Sequence, residues 1–253
     1  MTILRSNSLA AGDIMRILAV DTSTQVGAVG FLDTASGAFA ELNISIGQTH
    51  SQRLLGCIDY ILGVVECPLS NVDVLAVSNG PGSFTGLRIS ISIVQGLALA
   101  EGKRLTPFSS LEALAYNYAG CSHLICPMID ARRGEVFTGL FRFEGAKLLR
   151  EAPEQAVPAS VIAELASREK TVFIGDGARA CRDAIESCMK AEYIIAPEHL
   201  SHHRGVSMAR LVAETKSDDQ GIDPGDIRPR YLRKSNAERA KGMVSNLQSG
   251  GPH

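Results

Sequence analysis

The sequence predicts an α/β protein of two related lobes, each built on a mixed sheet, with a cleft between them. Two repeated patterns predict it. An apolar run ends at an Asp and turns back into a second strand over 17–32, and again over 124–143. Further on, a short apolar strand enters a Gly-x-Gly turn and a helix over 72–100, and again over 172–185. Asp21 with Gly80 and Gly82 is thus matched by Asp130 with Gly175 and Gly177. A supersecondary unit that recurs in the same order is the signature of a duplicated lobe.

Composition bounds the rest. The chain has 253 residues, enough for one large or two small domains, and its 45% apolar and 21% charged content is ordinary for a globular protein. A net charge of −2 gives no basic surplus with which to grip nucleic acid alone. No apolar run has the length of a membrane span. The six cysteines never form CxxC and sit in apolar or helical contexts, which predicts buried, reduced thiols and a cytoplasmic protein.

In chain order, residues 1–15 read as an extension before a second start at Met15, without the apolar region of a signal peptide. A strand over 16–20 ends at Asp21, and Thr22, Ser23 and Thr24 form a hydroxyl-rich turn into strands over 26–32 and 39–46. Asp-Thr-Ser at a strand end has two readings: a holder of phosphate-bound Mg²⁺ or its water, or an Asx/ST turn closing a hairpin.

A helix follows over 50–66. Leu54, Leu55, Ile58, Ile61, Leu62 and Val65 recur at the spacing of a core face, and Gln52, Asp59 and Glu66 make a narrow polar stripe. A third side carries Arg53, Gly56, Cys57, Tyr60, Gly63 and Val64, too apolar and too glycine-containing for a solvated face, and reads as a contact surface. His50 is an end group, and Cys67-Pro68 ends the helix.

The unit over 72–100 is a buried strand, the turn Asn79-Gly80-Pro81-Gly82, and a helix capped by Ser83. The turn fits neither a Walker A loop nor the dinucleotide fingerprint, because Gly80, Gly82 and Gly86 are spaced GxGxxxG. Either it is structural, or it holds an anion with Ser83, Thr85 and the helix N-terminus as donors. The helix has one apolar face of Phe84, Leu87, Ile91, Val94 and Ala98, and a second of Gly86, Ile89, Ile93, Gly96 and Ala100. A helix apolar nearly all round is either wholly buried or shared with a partner.

Next come a strand over 105–109, a helix over 111–118, a strand over 124–129 ending at Asp130, the turn Ala131-Arg132-Arg133-Gly134, and a returning strand over 135–143. A strand over 172–174 leads through Gly175-Asp176-Gly177 into a helix carrying Ala180, Ala184 and Ile185. His199, His202 and His203 lack carboxylates or thiols at ligand spacing, so they read as a solvated helix start before Val206 rather than a metal cluster. The basic segment 228–234 is either a strand edge with solvated charges or a contact to phosphate or an RNA backbone. These elements divide into an N-terminal lobe at 16–108, a C-terminal lobe at 109–234 whose final segment can return to the first, and a polar tail at 235–253. Two strand–Asp turns with two Gly turns is the pattern of the actin-like ATPase class, in which they surround a nucleotide.

The stretches ILAVDTST at 17–24, SNGPGSFTGLR at 78–88, SSLEALA at 109–115, IDARRGEVF at 129–137, GDG at 175–177 and PRYLR at 229–233 resemble the bacterial TsaB family, also called YeaZ. The resemblance runs in order over about 16–234. It implies a two-lobed actin-like fold and a part in forming N6-threonylcarbamoyladenosine at position 37 of tRNAs that read ANN codons. It implies the transferase TsaD and the ATPase TsaE as partners and tRNA met only through the complex, while the spare apolar faces of the helices at 50–66 and 84–100 call for a cover by TsaD or by a second copy of this chain. No cofactor of its own is implied, with ATP or ADP held weakly or at a shared interface. In the fold relative TsaD the helix after the central unit carries HxxxH metal ligands. Ser110 and Leu114 stand at those positions here, and leucine cannot ligate a metal.

The expectation is therefore a non-catalytic subunit that binds and activates TsaD, with Arg53, Gly56, Cys57, Tyr60, Val64, Ile89, Ile93 and Gly96 as its partner surface. The alternative is an independent actin-like phosphotransferase or ATPase with Asp21, Asp130 and the Gly turns as its site, against which residues 144–200 are short for an adenosine pocket. A peptidase has no ligand set or nucleophile triad to stand on.

Overall fold

The structure, a computed structural model, describes residues 14–45, 50–215 and 221–233. The expected N-terminal extension and polar tail fall almost wholly outside these, as do Ile46, Lys234 and the side chains of His50 and Gln52.

The first sheet is formed by Arg16–Asp21 (β1), Val26–Asp33 (β2), Phe39–Ser45 (β3), Val74–Gly80 (β4) and Leu105–Ser109 (β5), in the order β3-β2-β1-β4-β5. Helix His50–Val64 (α1) connects β3 to β4, and helix Phe84–Ala100 (α2) connects β4 to β5. The chain then crosses through Ser110–Tyr116 (α3) into a second sheet of Leu124–Arg132 (β6), Glu135–Glu144 (β7), Lys147–Pro158 (β8), Thr171–Ile174 (β9) and Tyr193–Ile195 (β10). Its order is β8-β7-β6-β9-β10, the first sheet over again. In each, a meander of three antiparallel strands is extended by two parallel ones. Ala159–Ala166 (α4), Asp176–Ala180 (α5) and Arg182–Cys188 (α6) cover the second sheet, and Gly205–Thr215 (α7) returns the chain to the first.

Burial explains why β1 is apolar at every position from Ile17 to Val20. Ile17 and Ala19 point into a core shared with Met208, Leu211 and Val212 of α7, while Leu18 and Val20 point into a core with Ile58 and Ile61 of α1 and Val94 of α2. A strand covered on both faces cannot alternate. The first of these cores is continuous across the molecule, because Leu111 and Leu114 of α3 join it to Ile125, Ile129 and Phe141 of the second sheet. Helices α3 and α7 pack on one another as the middle layer between the sheets.

Several expected elements are corrected. The 12-residue β8 and helix α4 are not among the expected elements. β8 is an edge strand paired only with β7, and its sequence KLLREAPEQAVP is charged as edges tend to be, so it lacks a strand's apolar signal. The expected helix after Gly177 is two short helices broken at Cys181. Leu55 is not core but 53% exposed: it lines an open groove with Gly56, Asp59, Leu62 and Leu97, because the expected face is wider than the layer below it. Phe84 is likewise partly exposed, and Gly86 is buried rather than on an outer face. All six cysteines are free thiols, with Cys67 and Cys126 buried and the others half-buried. Burial pushes the Cys126 thiol up to about 12.

Candidate functional site: the cleft between the lobes

The end of β1 is held by its own side chains. Asp21 Oδ1 accepts from the Ser23 amide at 2.8 Å and the Ser23 hydroxyl at 2.9 Å, an Asx turn. The Asp21 carboxylate is fully buried, with His203 Nδ1 3.3 Å from Oδ1. His203 is also fully buried, and its Nε2 donates to the Ser110 carbonyl at 2.9 Å. The expected solvated histidine start is thereby corrected for His203, which the fold of α7 onto β1 carries into the interior. His202 is half-buried, and burial lowers its pKa.

The Gly turn is stitched to this strand end. The Ser83 amide donates to the Ser23 carbonyl at 2.7 Å, and the Thr22 hydroxyl to the Gly86 carbonyl at 2.7 Å. A Cβ at Gly82 would stand 2.6 Å from the Ser23 carbonyl oxygen, and one at Gly86 would stand 1.8 Å from that of Thr22. The room these glycines leave is filled by the protein's own backbone. Ser83 Oγ caps α2 by accepting from the Gly86 amide at 3.2 Å.

The second lobe repeats the arrangement. Cβ atoms at Gly175 and Gly177 would meet the Met128 carbonyl at 2.2 and 2.9 Å. Asp176 Oδ1 accepts from the Asp130 amide at 3.0 Å, and Asp130 Oδ1 accepts from the Arg132 amide at 2.7 Å. Arg132, Arg133 and Gly134 then follow with φ of +68°, +60° and +76°.

Between the two strand ends lies a cleft of about 890 Å³. Of the expected residues, Thr22, Ser23, Gly82, Ser83, Thr85, Gly86 and Asp130 line it; Asp21, Gly80, Gly175 and Gly177 do not. The lining also brings in Asp176, Arg132, Arg133, Arg230, Tyr231 and Arg233. Arg230 pairs with Glu154, whose side chain is 2% exposed, and Arg233 pairs with Glu135 at 2.8 Å. Tyr231 stacks on Phe84 at 4.9 Å, and Arg88 lies over the Phe84 ring. The segment at 228–233 is thus neither a strand edge nor a solvated run, since its arginines tie it to both lobes. A sequence signal existed for the cleft arginines, because Arg132-Arg133 directly follows the second strand–Asp end.

On the outer layer, α1 and α2 pack side by side. Tyr60 and Val64 stand 64% and 58% exposed, Arg53 and Gly56 are exposed, and Cys57 is half-buried. Gly96 is exposed beside the half-buried Ile89 and Ile93. Ser110 and Leu114 of α3 are core: the Ser110 hydroxyl bonds the Pro81 carbonyl, and Leu114 packs between the sheets. Among the described residues no group of three or more His, Cys, Asp or Glu side chains is placed to hold a metal ion.

Two sheets of identical order, facing strand ends and a shared middle layer make this a two-lobed protein of the actin-like class. A family model described as TsaD: tRNA N6-adenosine threonylcarbamoyltransferase matches residues 45–241. The tRNA threonylcarbamoyladenosine biosynthesis protein TsaB of Bacillus subtilis is 30% identical over 88% of this chain and 96% of its own. Its Haemophilus influenzae namesake is 37% identical over 87% and 94%. The solved structure of YeaZ from Pseudomonas aeruginosa aligns with a TM-score of 0.75 at 26% identity, covering 87% of this chain and all of that one. The chain belongs to the TsaB (YeaZ) family.

Proposed function

We propose that this chain is a non-catalytic subunit in the formation of N6-threonylcarbamoyladenosine on tRNA, and that it binds and activates TsaD through the outer face of α1 and α2. The observation that carries the reading is that face. Leu55, Tyr60, Val64 and Leu99 are each more than half exposed on two adjacent helices, and large apolar side chains left in solvent on neighbouring helices support an interaction site there. The use of Ser110 and Leu114 as core supports a subunit without a metal-assisted transfer step of its own. Burial of Asp21 against His203 weighs against an independent ATPase at that carboxylate. In this reading the protein works in the cytoplasm, meets tRNA and TsaE only within the complex, and offers the same face to a second copy. ATP or ADP is held weakly, in the cleft or at the shared interface.

The test is Tyr60→Glu. A residue so exposed adds little to the fold, so the thermal melt should stay within about a degree or two of wild type. As the aromatic centre of the face it should cost 2 kcal/mol or more, on the order of a thirtyfold loss of TsaD binding, read by co-purification and calorimetry. A melt that collapses, or TsaD retained in full, defeats the assignment.

A further inference from the structure

We infer that residues 221–233 are a strap that latches the two lobes together across the mouth of the cleft. The strap's backbone is seated on the first lobe, and the side chains of Arg230 and Arg233 tie it to the second. The inference is independent of the proposed docking of TsaD on α1 and α2.

The seat is built into the first lobe. Ile222 exchanges backbone hydrogen bonds with Leu105 of β5 at 2.8 and 3.0 Å. Gln95 of α2 donates to the Pro224 carbonyl at 2.6 Å, and Ile227 is buried in the core shared with α1 and α2. The Arg230 amide donates to the Asn79 carbonyl at 2.7 Å, near the end of β4. Two glycines make room for this path. A Cβ at Gly221 would stand 2.6 Å from the Leu105 carbonyl oxygen, and one at Gly80 would stand 2.9 Å from that of Arg230. Their φ values of +71° and +110° also suit glycine. Gly80, which does not line the cleft, is therefore required by the strap that lies on it.

The latch is polar. From the seat, Arg230 reaches Glu154 of β8, and Arg233 reaches Glu135 of β7 at 2.8 Å and the Ala131 carbonyl at 2.8 Å. Between them Tyr231 turns back to the first lobe, where it stacks on Phe84 and its hydroxyl accepts from Arg88 Nε at 3.1 Å. Residues 230–233 all line the cleft. The lobes are joined differently at the middle layer, where Leu111 and Leu114 of α3 and Met208 and Leu211 of α7 share one apolar core with Ile125 and Phe141. Many packed apolar contacts open only with the fold itself. Ion pairs that reach solvent are weakened by salt and by competing charge, and Arg230 and Glu135 are each 36% exposed. A fixed hinge at α3 and α7 thus faces a releasable latch at the mouth of the cleft.

The experiment is amide hydrogen exchange and small-angle X-ray scattering on the full chain carrying Glu135→Gln/Glu154→Gln. Both substitutions lie in the second lobe, so the strap and its seat are unaltered. Exchange at the Arg230 amide should rise about tenfold, the loss of one charge-assisted contact, while the core amides of Val20 and Val77 keep their wild-type exchange. The radius of gyration, compared at matched oligomeric state, should increase as the lobes part. Arg233→Gln spares the buried Glu154 and should move both readouts the same way by less, which keeps the test open if the double variant does not fold. Unchanged exchange at Arg230, or equal acceleration at Arg230 and in the core, overturns the inference. So does faster exchange at Arg230 with an unchanged radius of gyration, because the strap would then fray without holding the lobes. None of these outcomes bears on TsaD binding by the Tyr60→Glu variant.

Discussion

The carbonyl oxygen of Thr22 occupies the place of a Cβ on Gly86, 1.8 Å from where that atom would stand, while the Thr22 hydroxyl donates to the Gly86 carbonyl at 2.7 Å. The first turn of α2 and the end of β1 are thus in backbone contact. Gly86→Ala cannot be absorbed by a side-chain rotation, since the obstacle is main chain. The expected cost is about 2–3 kcal/mol, at the upper end of overpacking effects, read as a lowered denaturation midpoint. A melt equal to wild type would show that the strand end yields freely.

Gly96 in the same helix makes the opposite case. Nothing lies within 4 Å of its Cβ position, nor of that of Gly56 in α1. Alanine there should stabilise the isolated chain by about 0.5–1 kcal/mol per site, because an exposed helix interior favours alanine. If these glycines allow a partner helix to approach, the double variant Gly56→Ala/Gly96→Ala should melt higher yet bind TsaD more weakly. Higher melting with unchanged binding would remove the glycines from the interface while leaving Tyr60 in it.

These contrasts mark what the sequence made legible. The duplicated order of elements was readable, because a strand ending at Asp with a returning strand, and a strand entering Gly-x-Gly and a helix, recur in the same order. The span of α2 was readable to the residue, because Ser83 caps it and Glu101 follows its last apolar turn. The use of the glycines was not: a glycine required by a ligand and one required by Thr22 look alike in a sequence. His203 was not readable either, since its burial depends on α7 crossing back to β1, a contact between residues far apart in the chain. β8 was missed because an edge strand has no two-sided core to imprint apolar periodicity upon it.

Glu154 gives a pH dependence with a defined sign. Burial raises its pKa above the ordinary 4.5 and outweighs the Ser109, Arg230 and Arg150 contacts that lower it. The folded chain then binds this proton more tightly than the unfolded chain. Its contribution to stability is fully present below 4.5 and is lost as pH rises through the raised value. Glu154→Gln lacks the step. The difference in unfolding free energy, wild type minus variant, should therefore fall with rising pH across that window in urea titrations. A difference that grows with pH would mean that the ion pair with Arg230 dominates burial.

The same carboxylate fixes the expected effect of Arg230→Met. Arg230 also donates to the Gly80 carbonyl at 3.3 Å, and its amide donates to the Asn79 carbonyl at 2.7 Å, so it joins the end of β4 to β8 across the lobes. Removing the guanidinium strands Glu154 in the interior. Because Arg230 is itself 36% exposed, the cost should be roughly 2 kcal/mol, below the value for a fully buried pair. It should be smaller in Glu154→Gln/Arg230→Met, where no charge is left behind. A double variant as unstable as the sum of the single ones would deny the coupling.

Asp21 and His203 should be coupled more strongly, because neither side chain reaches solvent. His203→Ala removes a fully buried ring that stands 3.3 Å from Asp21 and bonds the Ser110 carbonyl, and should cost about 3–5 kcal/mol through the cavity and the lost bond. Asp21→Asn keeps an oxygen for the Ser23 amide and removes the charge, so it should cost less. Because the two side chains are in contact, the double variant Asp21→Asn/His203→Ala should be more stable than the two single effects predict by about 1–3 kcal/mol. The remaining loss is packing and the His203 bond to the Ser110 carbonyl, which joins α7 to the first residue of α3. Hydrogen exchange should therefore rise at α3 and at the start of α7 in every His203 variant, including the double one, and only modestly in Asp21→Asn. Strict additivity of the two substitutions would show that His203 serves the middle layer alone, and exchange confined to β1 would show that its bond to the Ser110 carbonyl holds nothing in place.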